Sequence, residues 1–137
     1  MKTTARNELN GSIVQIKHGQ IMSEIEVSVS PEISILATIT NDATKSLDLK
    51  IGEDVSAIIK SSHLLLSKQK LRTTARNNFL TTIQEIIPGA VNCEVKLLVG
   101  EQTLCAIITN DSCKELDLKA GDEIYTFFKA SSVILFA

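Results

Sequence analysis

The chain says nearly the same thing twice. Thr3-Thr4-Ala5-Arg6-Asn7 returns 70 positions later as Thr73-Thr74-Ala75-Arg76-Asn77. The stretch from Thr40 to Val55 reappears from Thr109 to Ile124 at an offset of 69, with nine of the 16 aligned pairs identical. Among these are Leu47-Asp48-Leu49-Lys50 against Leu116-Asp117-Leu118-Lys119, and Gly52 against Gly121. The offset shortens by one because Ser30-Pro31-Glu32 faces only Gly100-Glu101, a deletion where a turn is expected. A unit of about 70 residues is too long for a solenoid repeat and right for a small domain. The chain reads as a tandem duplication, with domains at 1–68 and 71–137 meeting at the polar stretch Ser67-Lys68-Gln69-Lys70. Any site should therefore occur twice.

Domains this small bury only about 60% of their unfolded surface. Cys93, Cys105 and Cys113 all lie in the second half, are odd in number and form no CxxC or Cys/His cluster. They read as reduced thiols, neither a disulfide framework nor metal ligands. Extra stability is expected from a large interface between repeats or subunits. No apolar run approaches the length of about 18 residues that crosses a bilayer, and Met1-Lys2 is not followed by a signal-peptide core. The expectation is a soluble cytoplasmic protein without membrane contact. A net charge of −2, with one Tyr, four Phe and no Trp, argues against nucleic-acid binding, which needs a basic field and stacking platforms.

Period-2 alternation dominates. Ile21, Ser23, Ile25, Val27 and Val29 fall on one face, as do Val91, Cys93, Val95, Leu97 and Val99 in the copy. Leu9–Lys17 and Phe79–Ile87 each supply a long strand, and Ile33–Thr40 and Thr103–Thr109 are rich in β-branched residues. Asp42–Leu49 and Asp111–Leu118 break the rhythm as short helices, the first with an N-cap at Asn41 or Asp42. After Gly52 and Gly121 come two last strands each, Val55–Lys60 followed by Leu64–Leu66 and Ile124–Lys129 followed by Val133–Phe136; whether strands are exchanged between halves stays open. The predicted fold class is all-β with one short helix per repeat, two small OB-like β-barrels in tandem.

No nucleophile–base constellation is present, and an enzyme is not expected. His18 and His63 occur in the first repeat alone and read as surface or turn residues. Asp48 and Asp117 read as structural caps at the helix end. The arginines differ: of three in the chain, Arg6 and Arg76 occupy the same slot in TTARN. Hydroxyls and amides flank them, Lys60 and Lys129 correspond after the penultimate strand, and Thr40 and Thr109 open the helices. An Arg fork, a Lys, hydroxyls and free backbone amides make a donor inventory suited to a tetrahedral oxyanion. The alternative is that Arg6 and Arg76 cap strands or bridge surface carboxylates; spacing leaves both readings open.

The motif (S/T)-A-R-N, I-T-N-D before a short helix, L-x-L-x-x-G and a final K-(A/S)-S resembles the Mop family, the molbindins related to TOBE domains. Thr3–Asn7, Ile39–Asp42, Leu47–Gly52 and Lys60–Ser62 carry the match in the first repeat. Thr73–Asn77, Ile108–Asp111, Leu116–Gly121 and Lys129–Ser131 carry it in the second. The resemblance implies an OB-like barrel per half and molybdate or tungstate bound as cargo between domains. Carried over, the anion contacts are Thr4, Ala5, Arg6, Thr40, Ala43, Lys60 and Ser61, with Thr74, Ala75, Arg76, Thr109, Ser112, Lys129 and Ala130 as the second set. Ala5 and Ala43 would act through backbone N–H alone. Ala43 against Ser112, and Ser61 against Ala130, imply two unequal grades of site. The resemblance further implies a homotrimer of two-domain chains serving molybdenum storage and homeostasis. A sensing module that signals to a partner protein is the alternative.

Overall fold

A computed structural model describes residues 7–137; Thr4, Ala5 and Arg6 of the first TTARN lie outside the described residues. Each half begins with a long strand, β1 (Glu8–His18) or β6 (Asn77–Pro88). A turn then leads into β2 (Met22–Ser28) or β7 (Asn92–Val99), and another into β3 (Ser34–Thr40) or β8 (Gln102–Thr109). A single-turn helix follows, α1 (Asn41–Ser46) or α2 (Asn110–Glu115), and then β4 (Asp54–Ile59) or β9 (Glu123–Phe128). A 3-10 turn, Ser61–His63 or Ala130–Ser132, delivers the final short strand, β5 (Leu65–Ser67) or β10 (Val133–Phe136). The expected all-β class with OB-like halves and one short helix per repeat is the architecture observed.

The final strands are exchanged between the halves. Val55–Lys60 does not meet Leu64–Leu66; β4 pairs with β10 of the other half, and β5 pairs with β9. The sheets run β10-β4-β1-β2-β3 and β5-β9-β6-β7-β8, so each half lends its last strand to the other. The 3-10 turns make this possible, because they redirect the chain away from the strand it has just left. Turn Ser61–His63 packs on β8, and turn Ala130–Ser132 packs on β3.

Alternation reads out as burial. Ser23, Ile25, Val27 and Val29 face inward from β2, and Cys93, Val95, Leu97 and Val99 from β7. Ile21 and Val91 depart from the expected face, 75% and 72% exposed, because each lies in the turn and the strand starts one residue later. Core side chains of both halves join in one cluster. Phe79 and Phe128 meet edge-to-face at 6.0 Å, an arrangement that favours the aromatic quadrupoles. Between Ile13 and Gln15, and again between Ile83 and Glu85, the long strands carry a bulge that bends the sheet.

The helices start one residue earlier than expected. Thr40 and Thr109, not Asn41 or Asp42, are the N-caps, accepting the N–H of Ala43 and Ser112 at 3.1 Å each. They also end sooner, at Ser46 and Glu115. Asp48 and Asp117 adopt left-handed φ of 51° and 48°, which stops the helix. Asp48 N–H bonds Lys45 O at 3.0 Å and Leu49 N–H bonds Thr44 O at 3.2 Å, the Schellman pattern with Asp where Gly is usual. The capping role read for these aspartates is met by this backbone conformation.

Candidate functional site

The second repeat places its candidate residues on a boundary between halves. Thr74, Ala75 and Lys129 line a cleft of about 410 Å³ together with Ser62 and His63 from the first half's 3-10 turn. Thr73 and Ser132 add hydroxyls, while Leu65, Phe127 and Phe128 form an apolar wall. Lys129 is exposed and makes no ion pair among the described residues. The cleft thus combines one ammonium, one imidazole and four hydroxyls against a hydrocarbon floor. Such a set offers donors to an anion and shelters it on one side from water. His63 was not among the expected contacts. Its signal was absent, since the equivalent position in the second repeat is Ser132 and nothing marks a lone turn histidine.

Arg76 projects across the boundary. Its Nη1 and Nη2 donate to the two carboxylate oxygens of Glu24 on β2 at 2.9 and 3.2 Å, a bidentate fork. In this structure Arg76 therefore bridges a carboxylate, as the second of the two sequence readings has it. Glu24 stands opposite Thr38 on β3, and Thr40 follows two residues later on the same face. The second repeat's Arg76 and its turn Ala130–Ser132 consequently approach the first repeat's β3 and helix start. Lys60 and Ser61 lie on the opposite assignment, beside β8, whose end carries Thr109. The structure thus gathers Thr74, Ala75 and Lys129 of the second set in one cleft, and seats each 3-10 turn beside a strand of the other repeat.

Several expected donors are already engaged. Ala75 N–H is bonded to Thr73 Oγ1 at 3.1 Å, and Ala43 N–H and Ser112 N–H are held by their Thr caps. The two helix starts differ in their hydroxyls. Thr109 Oγ1 donates to Ser112 Oγ at 2.8 Å, passing the outward proton to Ser112. Ala43 has no hydroxyl, so in the first repeat Thr40 keeps its own proton to offer. Ser61 is buried and receives Asn7 Nδ2 at 3.4 Å, a contact that Ala130 cannot make.

The amides of TTARN turn out to be structural. Asn7 and Asn77, the side-chain amides that flank the two arginines in sequence, are buried at 0% and 2% exposure. Asn7 accepts Cys105 N–H at 2.6 Å and donates to Cys105 O at 2.8 Å; Asn77 does the same with Leu36 at 2.7 and 2.8 Å. Each thus clamps the edge strand of the opposite half, Asn7 on β8 and Asn77 on β3. Gln102 adds a further tie, donating to Asn10 O and Val29 O at 2.9 and 3.1 Å while accepting Asn10 N–H at 2.8 Å.

Among the described residues no cluster of three metal-ligating side chains occurs, and no helix is long and apolar enough to cross a membrane. The TOBE domain model matches residues 3–66 and again 73–135. The chain is 39% identical over 137 residues to the molybdenum transport protein ModE of Azotobacter vinelandii, covering 98% of this chain and 51% of that protein. It is 31% identical over 138 residues to the molybdenum-pterin-binding protein MopA of Rhodobacter capsulatus, covering 98% and 52%. It therefore spans about half the length of the curated relatives it matches. A crystal structure of the cytoplasmic molybdate-binding protein ModG with molybdate bound superimposes with a TM-score of 0.92 at 34% identity, covering 98% of both chains. Two matches to one domain model, and a solved di-domain relative aligned over nearly its full length, agree with the duplication read from TTARN: the chain belongs to the TOBE-domain family and carries two tandem copies.

Proposed function

We propose that this chain binds molybdate, or tungstate, as cargo at sites completed across its two repeats, and that it serves intracellular molybdenum storage and homeostasis without catalysing a reaction. The observation that carries the reading is the crosswise cleft where Lys129, Thr74 and Ala75 meet Ser62 and His63. The likeness to molybdate-bound ModG along the whole chain supports the choice of anion. The proposed contacts are Thr4, Ala5, Arg6, Thr40, Ala43, Lys60 and Ser61 in one set, and Thr74, Ala75, Arg76, Thr109, Ser112, Lys129 and Ala130 in the other. The functional units are residues 1–68 and 71–137, and the working assembly is a homotrimer in the cytoplasm.

Molybdate and sulfate are both tetrahedral dianions, so cavity size and donor placement must do the selecting. Isothermal titration should give tight molybdate binding with sulfate at least about tenfold weaker, a difference of about 1.4 kcal/mol. Equal affinities, or no heat from either anion, would reject the reading. Native mass spectrometry with and without molybdate reports subunit number and bound anions together. The transcriptional regulator ModE of Yersinia pestis, 29% identical over 98% of this chain and about twice its length, motivates the sensing alternative. A pull-down repeated with and without molybdate separates the two, because only a sensor gains or loses a partner.

A further inference from the structure

The two halves differ most in chemistry beside the helix. In the first half, Ser23 contacts His18 Nδ1 at 3.2 Å and donates to Asn41 Oδ1, while Thr44 donates to Thr40 O at 3.2 Å. At the equivalent places the second half has Cys93 for Ser23, Cys113 for Thr44 and Pro88 for His18. Two hydroxyls are replaced by two thiols together, and the imidazole that contacts Ser23 is replaced by a ring without a donor. A cavity of about 450 Å³ lies here, with Cys93, Cys113, Pro88, Asn110 and Lys114 in its walls. Cys93 belongs to the core on β7, Cys113 packs against that core from α2, and both line the same cavity. Both are free thiols.

We propose that Cys93 and Cys113 are a modification site, a thiol pair that closes to a reversible disulfide when hydrogen peroxide enters this cavity. The reading is independent of anion binding. Cys113 is half-buried and Cys93 only 2% exposed, so Cys113 meets the oxidant first. Burial, reinforced by Cys113, pushes the Cys93 thiol up to about 11, which suits a slow resolving partner and not the first nucleophile. The Cys113 thiolate attacks one peroxide oxygen, the O–O bond breaks, and the departing hydroxide takes a proton to leave as water. The Cys113 sulfenic acid is then attacked by Cys93, which has given up its proton. The S–S bond forms, the S–O bond breaks and a second water leaves. Two thiols lose two electrons and two protons, and one peroxide becomes two waters. The first half, with Ser23 and Thr44, cannot undergo this change.

The test uses the full chain, treated with hydrogen peroxide, denatured in a thiol-alkylating reagent and weighed by mass spectrometry. The reduced protein takes three alkyl groups, one per cysteine. The proposal requires that peroxide leave a single alkylated cysteine and that dithiothreitol restore all three. Cys105→Ser should lose both of its remaining alkyl groups on oxidation. Cys113→Thr, which installs the residue of the first half, should keep both of its own. Full alkylation after peroxide, a loss that dithiothreitol does not reverse, or a bridge that survives in Cys113→Thr would each overturn it.

Discussion

Asn77 holds Leu36 by both of its backbone groups, accepting the N–H at 2.7 Å and donating to the carbonyl at 2.8 Å. A primary amide has the donor and acceptor spacing of a peptide, so the side chain substitutes for one residue of a neighbouring strand. Replacing Asn77 by Ala would leave both groups of Leu36 without partners where water does not reach well. A buried unsatisfied group costs about 1–3 kcal/mol, so Asn77→Ala should lose about 2–4 kcal/mol in urea unfolding. Asn7→Ala should lose a similar amount through Cys105.

Asp48 and Asp117 sit in left-handed backbone conformation for the sake of the helix end, and their ion pairs with Lys50 and Lys119 at 3.2 and 3.6 Å are highly exposed. Such pairs contribute about 0–1 kcal/mol, while strain at a non-Gly residue in this region costs about 1–3. Asp48→Gly should therefore be neutral or stabilising in thermal unfolding. Asp48→Val should lose more than about 1 kcal/mol, because a β-branched side chain tolerates this φ poorly.

Arg76 and Lys129 separate stability from binding. The Arg76–Glu24 fork is largely exposed on the arginine side, so Arg76→Ala should change unfolding free energy by less than about 1 kcal/mol. Under the proposed function it should weaken molybdate binding by about 1.5–3 kcal/mol, the contribution of a charge-assisted hydrogen bond. Lys129→Met should behave alike, keeping its stem against Phe127 and Phe128 while losing the charge. Calorimetric titration beside urea unfolding checks both halves of the statement.

Cys93 couples folding to alkaline pH. Burial pushes its thiol up to about 11 in the folded chain from an ordinary 9.0, so between these values the unfolded chain has shed a proton that the native one keeps. Stability from this group is fully present below about pH 9 and falls as pH rises toward 11. Urea midpoints measured from pH 8 to 11 should drop more steeply for the native sequence than for Cys93→Ala.

Most strands were legible because half-buried β-structure writes its faces at period 2, as the Ile25-x-Val27 and Val95-x-Leu97 pairs show. The duplication added a second reading of every element. Strand exchange was not legible, since period 2 identifies the faces of Val133–Phe136 but not its neighbour, and β4 and β9 present similar edges. The TTARN amides misled for a related reason. A conspicuous polar motif reads as a site, yet Asn7 and Asn77 are there to satisfy strands distant in sequence, which only the fold brings near. The helix caps were missed by one residue because Thr40, Asn41 and Asp42 are all able caps, and only backbone ψ chooses among them. The crosswise grouping of Arg76 with Glu24 follows from exchange and was hidden with it.

The traded final strands also bear on how the chain could be divided. A cut between Lys68 and Arg72 would release a front fragment whose β4 lacks its outer neighbour and a rear fragment whose β9 lacks one as well. Each missing strand is held by the other fragment, so neither piece is a finished sheet alone, yet the two together contain every pairing of the uncut chain. Co-purification of the fragments is the natural outcome, and the connecting segment serves as a tether that raises local concentration more than as a structural member.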